Sequence, residues 1–531
     1  MQQKNYKLFV PGDLNGFFAL MFDNLTVLSF LAGILIFVFQ YPAEIVFGKM
    51  FPGTAFGVLV GDLLYSYLAI RLANKTGKPN VTAMPLGLDT PSTIGIALTV
   101  LGPAFLYLKN KYNVQDAAMM TWYIGMSTMV MIGITKFIFS FIGHKIQKLL
   151  PQAGLLGSLA GIGLALIGFM PIAEIFGMPI VGVISLGIIL YTLIARIQLP
   201  GKIPPVLFAV VIGTILYYII APLGFVGTSF EMPKLELHFG LPIPTFNFIN
   251  GFVESLNYLP IAFPFALLTI AGAINVTESA NVAGDDYKVK EIMWVDALAT
   301  TISGLSGGVA QTTPYIGHPA YKAMGSRIGY TIITGLFVGL GGIFGYASFI
   351  VELIPRAVLA PILVFVALDI MAMAFHVVKP KYSMAVAFAY FPTVARLLEI
   401  KLTNPEYVPT NVFETLTKTI GKHIPEISVI VALGNGFILT AMLWAAFIAN
   451  LIDRKFIHSC FYLLLLALLS FFGIIHSALP NGNMYLPWTL PAYLQVIPYQ
   501  FSLAYIALSI LFFLLSFSKQ AKVPYKEEEA V

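Results

Sequence analysis

Apolar residues come in unbroken runs of about 20 along most of the chain, each long enough to cross roughly 30 Å of hydrocarbon. The runs lack the apolar/polar alternation of barrel strands. A backbone in lipid must also satisfy its own polar groups, so the pattern predicts membrane-spanning helices. Spans are expected at about 16–39, 53–73, 83–106, 119–141, 153–172, 178–196, 204–222 and 260–283. Further spans are expected at about 291–307, 311–323, 328–352, 357–377, 382–402, 425–451, 456–476 and 498–517. The third and tenth are short and interrupted by Pro and Gly.

One interrupted segment runs from Val81 to Pro91 and the other from Ala310 to Pro319. Pro85 matches Pro314 and Asp89 matches His318, and each segment is third in a group of seven spans. Seven is odd, so the two groups have opposite orientation. That is the pattern of an inverted repeat whose discontinuous helices meet at the membrane midplane. Proline removes a backbone donor and bars the α conformation from the residue before it. The chain should therefore enter extended and start a half-helix inside the membrane. Free N–H groups after Pro85 and Pro314, with the positive dipole end behind them, would suit a carbonyl, carboxylate or other anionic group. The alternative is an ordinary proline kink in two full spans, which the matched positions disfavour.

Composition agrees with lipid as the main solvent: 58% of residues are hydrophobic and 10% charged, against about 25% charged in soluble domains. The single Cys460 leaves no disulfide framework and no Cys-based metal cluster. No nucleotide-binding loop, metal-ligand cluster or nucleophile constellation stands out. No cofactor or metal is expected, and an enzyme or an ATP-driven pump is disfavoured. The net charge of +5 lies in short loops and does not point to nucleic acid. The start, MQQKNYKLFVPGDLNG, lacks an early apolar core, so the first span is expected to act as the insertion signal. With the N-terminus in the cytoplasm, twenty Lys and Arg fall on inside segments and nine on outside ones, with Lys136 left within the fourth span. This bias supports an even span count, with both termini cytoplasmic in a plasma (inner) membrane. The expected divisions are a first seven-span repeat (1–222), an extracellular connector (223–259), a second repeat (260–455), C-terminal spans (456–517) and a cytoplasmic tail (518–531).

Several stretches carry a family resemblance: Gly154–Gly168, Leu433–Phe437, Asp296–Gly308 followed by Gln311–Thr313, Ile354–Pro361, and Thr277–Ala283 with its Glu-Ser pair. On these, the sequence resembles the nucleobase–ascorbate transporter superfamily of xanthine, uracil and adenine/guanine permeases, relatives of the sulfate/anion permeases. The resemblance implies an all-α polytopic fold of seven plus seven inverted spans with core and gate domains, discontinuous spans three and ten, and extra C-terminal spans. It also implies a homodimer through the gate domain. Glu278 matches the family's acidic residue of span eight. Two departures stand out: span ten lacks the second carboxylate of many nucleobase permeases, and no large soluble C-terminal domain follows.

Charged groups inside spans are costly, which makes them functional candidates. Glu278, with Thr277 and Asn281 nearby, would bind substrate or take a proton, or else hold the half-helices structurally. Asp23 and Asn24 lie in the first span, beside the substrate by resemblance, or form a packing pair. Met84 and Asp89 lie in the first broken segment; Gln311, Thr312, Thr313 and Tyr315 lie in the second. Gln311 can both donate and accept, which suits a nucleobase edge. Asp89 and His318 occupy matched positions where they could pair or relay protons, and His318 joins Glu278 as a proton-coupling candidate. Asp62 reads as an interhelix contact. Lys136 reads as snorkelling or paired with an acid, and Asp285-Asp286 as a solvated loop. The favoured expectation is a secondary transporter of a small solute, a purine or pyrimidine base, driven by protons or another coupling ion. The alternative is a transporter of a sulfate-like or dicarboxylate anion.

Overall fold

The computed structural model describes residues 6–141, 151–226, 230, 232, 236–315, 317–405, 407–418 and 423–518. The tail at 519–531 and Lys4, Lys145, Lys148, Lys234 and Lys422 of the charge count lie outside the described residues. Among the described residues, ten helices are long and apolar enough to cross a membrane, or up to twelve if two bent pairs are single spans. The protein is an all-α multi-pass membrane protein. Its chain packs into two units, one of residues 1–143, 167–256 and 265–366, the other of 144–166, 257–264 and 367–531.

The first unit holds α1 (Gly12–Gly33), α2 (Phe51–Thr76), β1 (Leu86–Leu88) and α3 (Thr90–Lys109). These are followed by α4 (Val114–Phe139) and the larger part of α5 (Leu259–Val282). Next come α6 (Val289–Leu305), β2 (Thr312–Pro314), α7 (His318–Ala323) and α8 (Gly329–Phe344). Spans three and ten are discontinuous, and their extended parts pair as antiparallel strands, with Gly87 opposite Thr313. Two equivalent segments running antiparallel is what a seven-plus-seven inverted repeat requires. The tenth span is shorter than expected: after β2 only the six-residue α7 is helical.

In lipid no hydrophobic force draws helices together, so small residues that permit close approach carry the packing. Gly335, Gly339 and Gly342 on α8 lie against Asp62, Leu59 and Ala55 on α2; a Cβ at each would fall 2.9, 2.6 and 2.5 Å from those side chains. On the other side of α2, a Cβ at Gly53 would fall 2.2 Å from the Gly308 nitrogen, and one at Gly57 2.6 Å from Ser303. The eleventh span bends by 95° between Phe344 and Tyr346. Gly345 makes that corner at φ 79°, with the His238 backbone where a side chain would be.

In the second unit, Gly154, Gly157 and Gly161 of the helix Gln152–Ile162 face Met442, Ala389 with Val386, and Thr393. The helices Glu426–Gly434 and Phe437–Ile452 bend by 87° at Asn435-Gly436. Asn435 holds the bend, donating to the carbonyls of Ser477 and Leu479 at 3.0 and 2.9 Å. The C-terminal spans are one short helix, Phe456–Phe471, and one long one, Ala492–Leu515.

Candidate functional site

The strand pair is the centre of the site, because it fixes where the backbone of both broken spans stops being helical. Asp89 N–H donates to the Gln311 carbonyl at 2.9 Å and Tyr315 N–H to the Pro85 carbonyl at 2.8 Å. Asp89 then caps α3, its Oδ2 accepting from Ser92 N–H at 2.9 Å. An acidic cap is favourable at the positive end of a helix. It also means that the α3 terminus is already partly occupied.

The outward N–H groups of β1 face side chains as well. Leu88 N–H donates to Asn24 Oδ1 at 2.9 Å, and Leu86 N–H faces the Asp62 carboxylate. The expectation of free N–H groups after Pro85 is corrected accordingly: side chains of α1 and α2 cover that edge. On the far edge, Lys136 Nζ from α4 donates to the Thr312 carbonyl at 2.7 Å. The same ammonium meets Asp296 Oδ2 at 3.0 Å and Thr300 Oγ1 at 3.2 Å. Lys136 and Asp296 are 1% and 2% exposed, a buried ion pair in full contact. Lys136 therefore does not snorkel, and its three donors are matched by three acceptors. Thr312 adds a contact between its Oγ1 and Asp296 Oδ1 at 3.3 Å.

The structure brings Asp23, Asn24, Asp89, Gln311 and Thr312 together around the strands. Gln311 Nε2 donates to Asp89 Oδ2 at 3.4 Å, and its Oε1 accepts from Thr269 Oγ1 at 3.4 Å. Asp23 is buried on α1 with its Oδ2 3.5 Å from where a Gly87 side chain would begin. Thr313 and Tyr315 are half-buried on and just after β2, whereas Met84 is fully buried.

The α5 candidates sit apart. Thr269 marks the face of α5 that meets Gln311, and Glu278 is nine residues further on. At 100° and 1.5 Å per residue, it lies about 13 Å away on the opposite face. Glu278 is exposed, and no described residue bonds it. Thr277 is buried and back-bonds to the Ala273 carbonyl, and Asn281 is half-buried.

His318 does not pair with Asp89. Its Nε2 lies 3.3 Å from Asp285 Oδ2 and 3.2 Å from the Thr82 carbonyl, two acceptors that together call for a proton on that nitrogen. Asp285 also accepts from Lys322 at 2.5 Å and from Thr82 N–H at 3.1 Å. Its side chain is wholly buried, so the reading of Asp285 as a solvated loop residue is corrected, whereas Asp286 is exposed and meets Lys78 at 3.2 Å. Burial pushes the Asp285 carboxyl up, but the hydrogen bonds from His318, Lys322 and Thr82 outweigh it and hold it below the ordinary carboxylate range. Tyr287 and Tyr330 bind the Thr82 and Ala83 carbonyls at 2.6 and 2.7 Å, completing a latch on the approach to β1.

Phe17 and Phe18 line an apolar cavity of about 390 Å³ with Met21, Phe22, Phe337 and Ile350. Its wall exposes no polar atom, so it suits no charged or polar cargo.

No protein-family model matches the chain. It is similar to the bicarbonate transporter BicA of Picosynechococcus sp., 25% identical over 291 residues. That match covers 49% of this chain and about half the length of BicA, 50%. Among solved structures, the transmembrane domain of a cyanobacterium bicarbonate transporter BicA aligns with 17% identity and a TM-score of 0.49, covering 73% of this chain and 96% of that one. The overall structure of SLC26A9 aligns with 13% identity and a TM-score of 0.49, covering 73% and 63%. The murine Slc26a9 anion transporter in its inward-facing state gives 14% identity and a TM-score of 0.40, covering 76% and 67%.

The sequence match to BicA overturns the resemblance to nucleobase–ascorbate permeases, and with it the base as cargo. The physical reason lies in the motifs. Gly154–Gly168 supplies close helix crossings and Leu433–Phe437 makes a bend, so both report packing geometry and neither reports what is carried. The sulfate/anion side of the resemblance is the one the curated relative supports.

Proposed function

We propose that the protein is a secondary transporter of a small anion, inorganic or carboxylate. The similarity to a bicarbonate transporter over 291 residues carries this reading. The strand pair supports it: α3 starts there with its positive end toward β1, and the half-buried Thr313 side chain offers a hydroxyl donor beside it. The loss of a span-ten carboxylate fits an anion better than a base.

The electrostatics add a condition. Among the described residues, Asp23, Asp62, Asp89 and Asp296 surround the strands against one buried cation, Lys136. Each unneutralised carboxylate about 5 Å from a bound anion would oppose it by about 3 kcal/mol, more than a hundredfold in affinity. In the same proposal the anion travels with a cation, either protons or another coupling ion, which offsets that repulsion. Cytoplasmic termini, an inner-membrane location and a homodimer through the gate domain belong to the same proposal.

Counterflow in proteoliposomes tests it, with labelled bicarbonate, sulfate, fumarate and chloride as the panel. At least one should exchange faster than in protein-free vesicles. Folded protein that moves none of the four would refute the reading.

A further inference from the structure

Asp23 is a side chain that the packing alone leaves unexplained. It sits in the middle of α1, 4% exposed, and neither carboxylate oxygen has a hydrogen-bond partner. Its neighbour Asn24 has a partner on each amide atom, donating to the Leu20 carbonyl at 2.9 Å and accepting from Leu88 N–H. An isolated carboxylate in a dry interior costs several kcal/mol more than any packing role returns, so a structural residue here would be apolar or paired.

Its surroundings say what is missing. In an extended strand, residues two apart share a face, so Asp89 follows Gly87 on the side toward which Asp23 Oδ2 points. Gly87 has no side chain to come between them, and the two carboxylates lie within electrostatic reach of each other. The ammonium that could have neutralised them, Lys136, is spent on Asp296, Thr300 and the Thr312 carbonyl. What remains is the buried, unpartnered Asp23 carboxylate beside the half-buried Asp89, whose Oδ2 accepts from Ser92 N–H and Gln311 Nε2.

We infer that Asp23 and Asp89 form the site of the coupling cation and that this cation is a proton held on Asp23. This rests on the anion-transport reading and supplies the positive charge which that reading requires. Two carboxylates with no third His, Cys, Asp or Glu beside them among the described residues suit a proton better than a zinc-like metal ion. A proton also needs only one carboxylate oxygen and an acceptor. The site borders β1, whose other partners are α1 and β2, so protonation of Asp23 and anion binding share the strand pair. The titratable and charged groups facing the pair are few. Tyr321 faces Asp23 and also Asp62, and Lys136 with Asp296 lies behind Asp89.

Two experiments on the full chain test it. The first is infrared spectroscopy of purified protein at neutral pH, which needs no anion. The C=O stretch of a protonated carboxylic acid should be present in the wild type and weaker by one carboxyl in Asp23→Asn, the rest belonging to other buried acids such as Asp62; a band unchanged by that substitution overturns the assignment. The second is flux in proteoliposomes with sulfate or fumarate, chosen from those that pass the counterflow panel. An inward proton gradient should drive accumulation and alkalinise the outside, and in Asp23→Asn the proton-to-anion ratio should fall by one proton. Asp89→Asn should weaken the same coupling, and serves if Asp23→Asn does not fold. Anion accumulation driven by sodium, with no proton movement, overturns the proton. Absence of any anion movement while the infrared band behaves as expected refutes the transport reading and leaves the proton site standing.

Discussion

Replacing Lys136 with Met keeps the length and apolar volume of the side chain but removes its charge. Three acceptors are stranded: the Asp296 carboxylate, the Thr312 carbonyl and Thr300 Oγ1. Removing one partner of a buried ion pair costs about 3–5 kcal/mol, because the other charge is left uncompensated. The carboxylate can escape by taking a proton, and from an ordinary pKa near 3.9 that costs about 4 kcal/mol at pH 7, which caps the charge contribution. The uncapped Thr312 carbonyl adds about 1–3 kcal/mol. The single variant should therefore lose about 4–7 kcal/mol, a change large enough to exhaust the stability of many proteins. Lys136→Met combined with Asp296→Asn removes the stranded charge and should recover at least about 2 kcal/mol of that loss. The assay is reversible unfolding by a denaturing detergent in mixed micelles, run as a double-mutant cycle. A Lys136→Met protein as stable as the wild type, or a double variant no more stable than that single one, would falsify the claim that this pair anchors β2.

Two smaller perturbations probe other parts of the same unit. Asp285→Asn leaves Lys322 and His318 without their carboxylate and should cost about 2–4 kcal/mol. Because the folded carboxyl lies below its unfolded value of 3.8, the wild type should hold this stabilisation above that pH and lose it below, while the variant shows no such acid step; equal acid profiles by tryptophan fluorescence would count against the latch. Gly53→Ala places a methyl 2.2 Å from the Gly308 nitrogen, which is backbone and cannot swing away, and should cost about 1–3 kcal/mol. Gly48→Ala, with nothing within 4 Å, is its control, and thermal melts of equal midpoint for both would refute the tight crossing.

The breaks at Pro85 and Pro314 were readable because proline acts on its own backbone and the residue before it, a purely local effect. The helical runs were readable for the same reason: each depends only on its own apolar length. What joins distant residues was not. Asp296 lies 160 residues from Lys136, and nothing local marks it as the partner of that ammonium. Asp285 looked solvated because its neighbours Asp286, Lys288 and Lys290 are polar, whereas the groups that bury it come from Thr82, His318 and Lys322. Glu278 drew attention as an acid in a span, yet helix periodicity from Thr269 turns it away from Gln311, and that contact exists only in three dimensions. The cargo was least readable of all, because the glycine motifs that suggested it answer to packing.

The pairing of Gly87 with Thr313 also has a consequence in time. During synthesis, Gly87 enters the membrane 226 residues before its partner exists. At about 5–20 residues per second, that is a wait of roughly 10–45 s with an unpaired, non-helical backbone in or near lipid. Asn24, already made, can serve Leu88 N–H during the wait, but the carbonyls of Pro85 and Gly87 have nothing comparable. The first broken span must then be shielded by the insertion machinery, or stay out of the bilayer, until the second arrives. A ribosome stalled between the two strands would expose a half-built membrane protein that quality control could recognise and destroy.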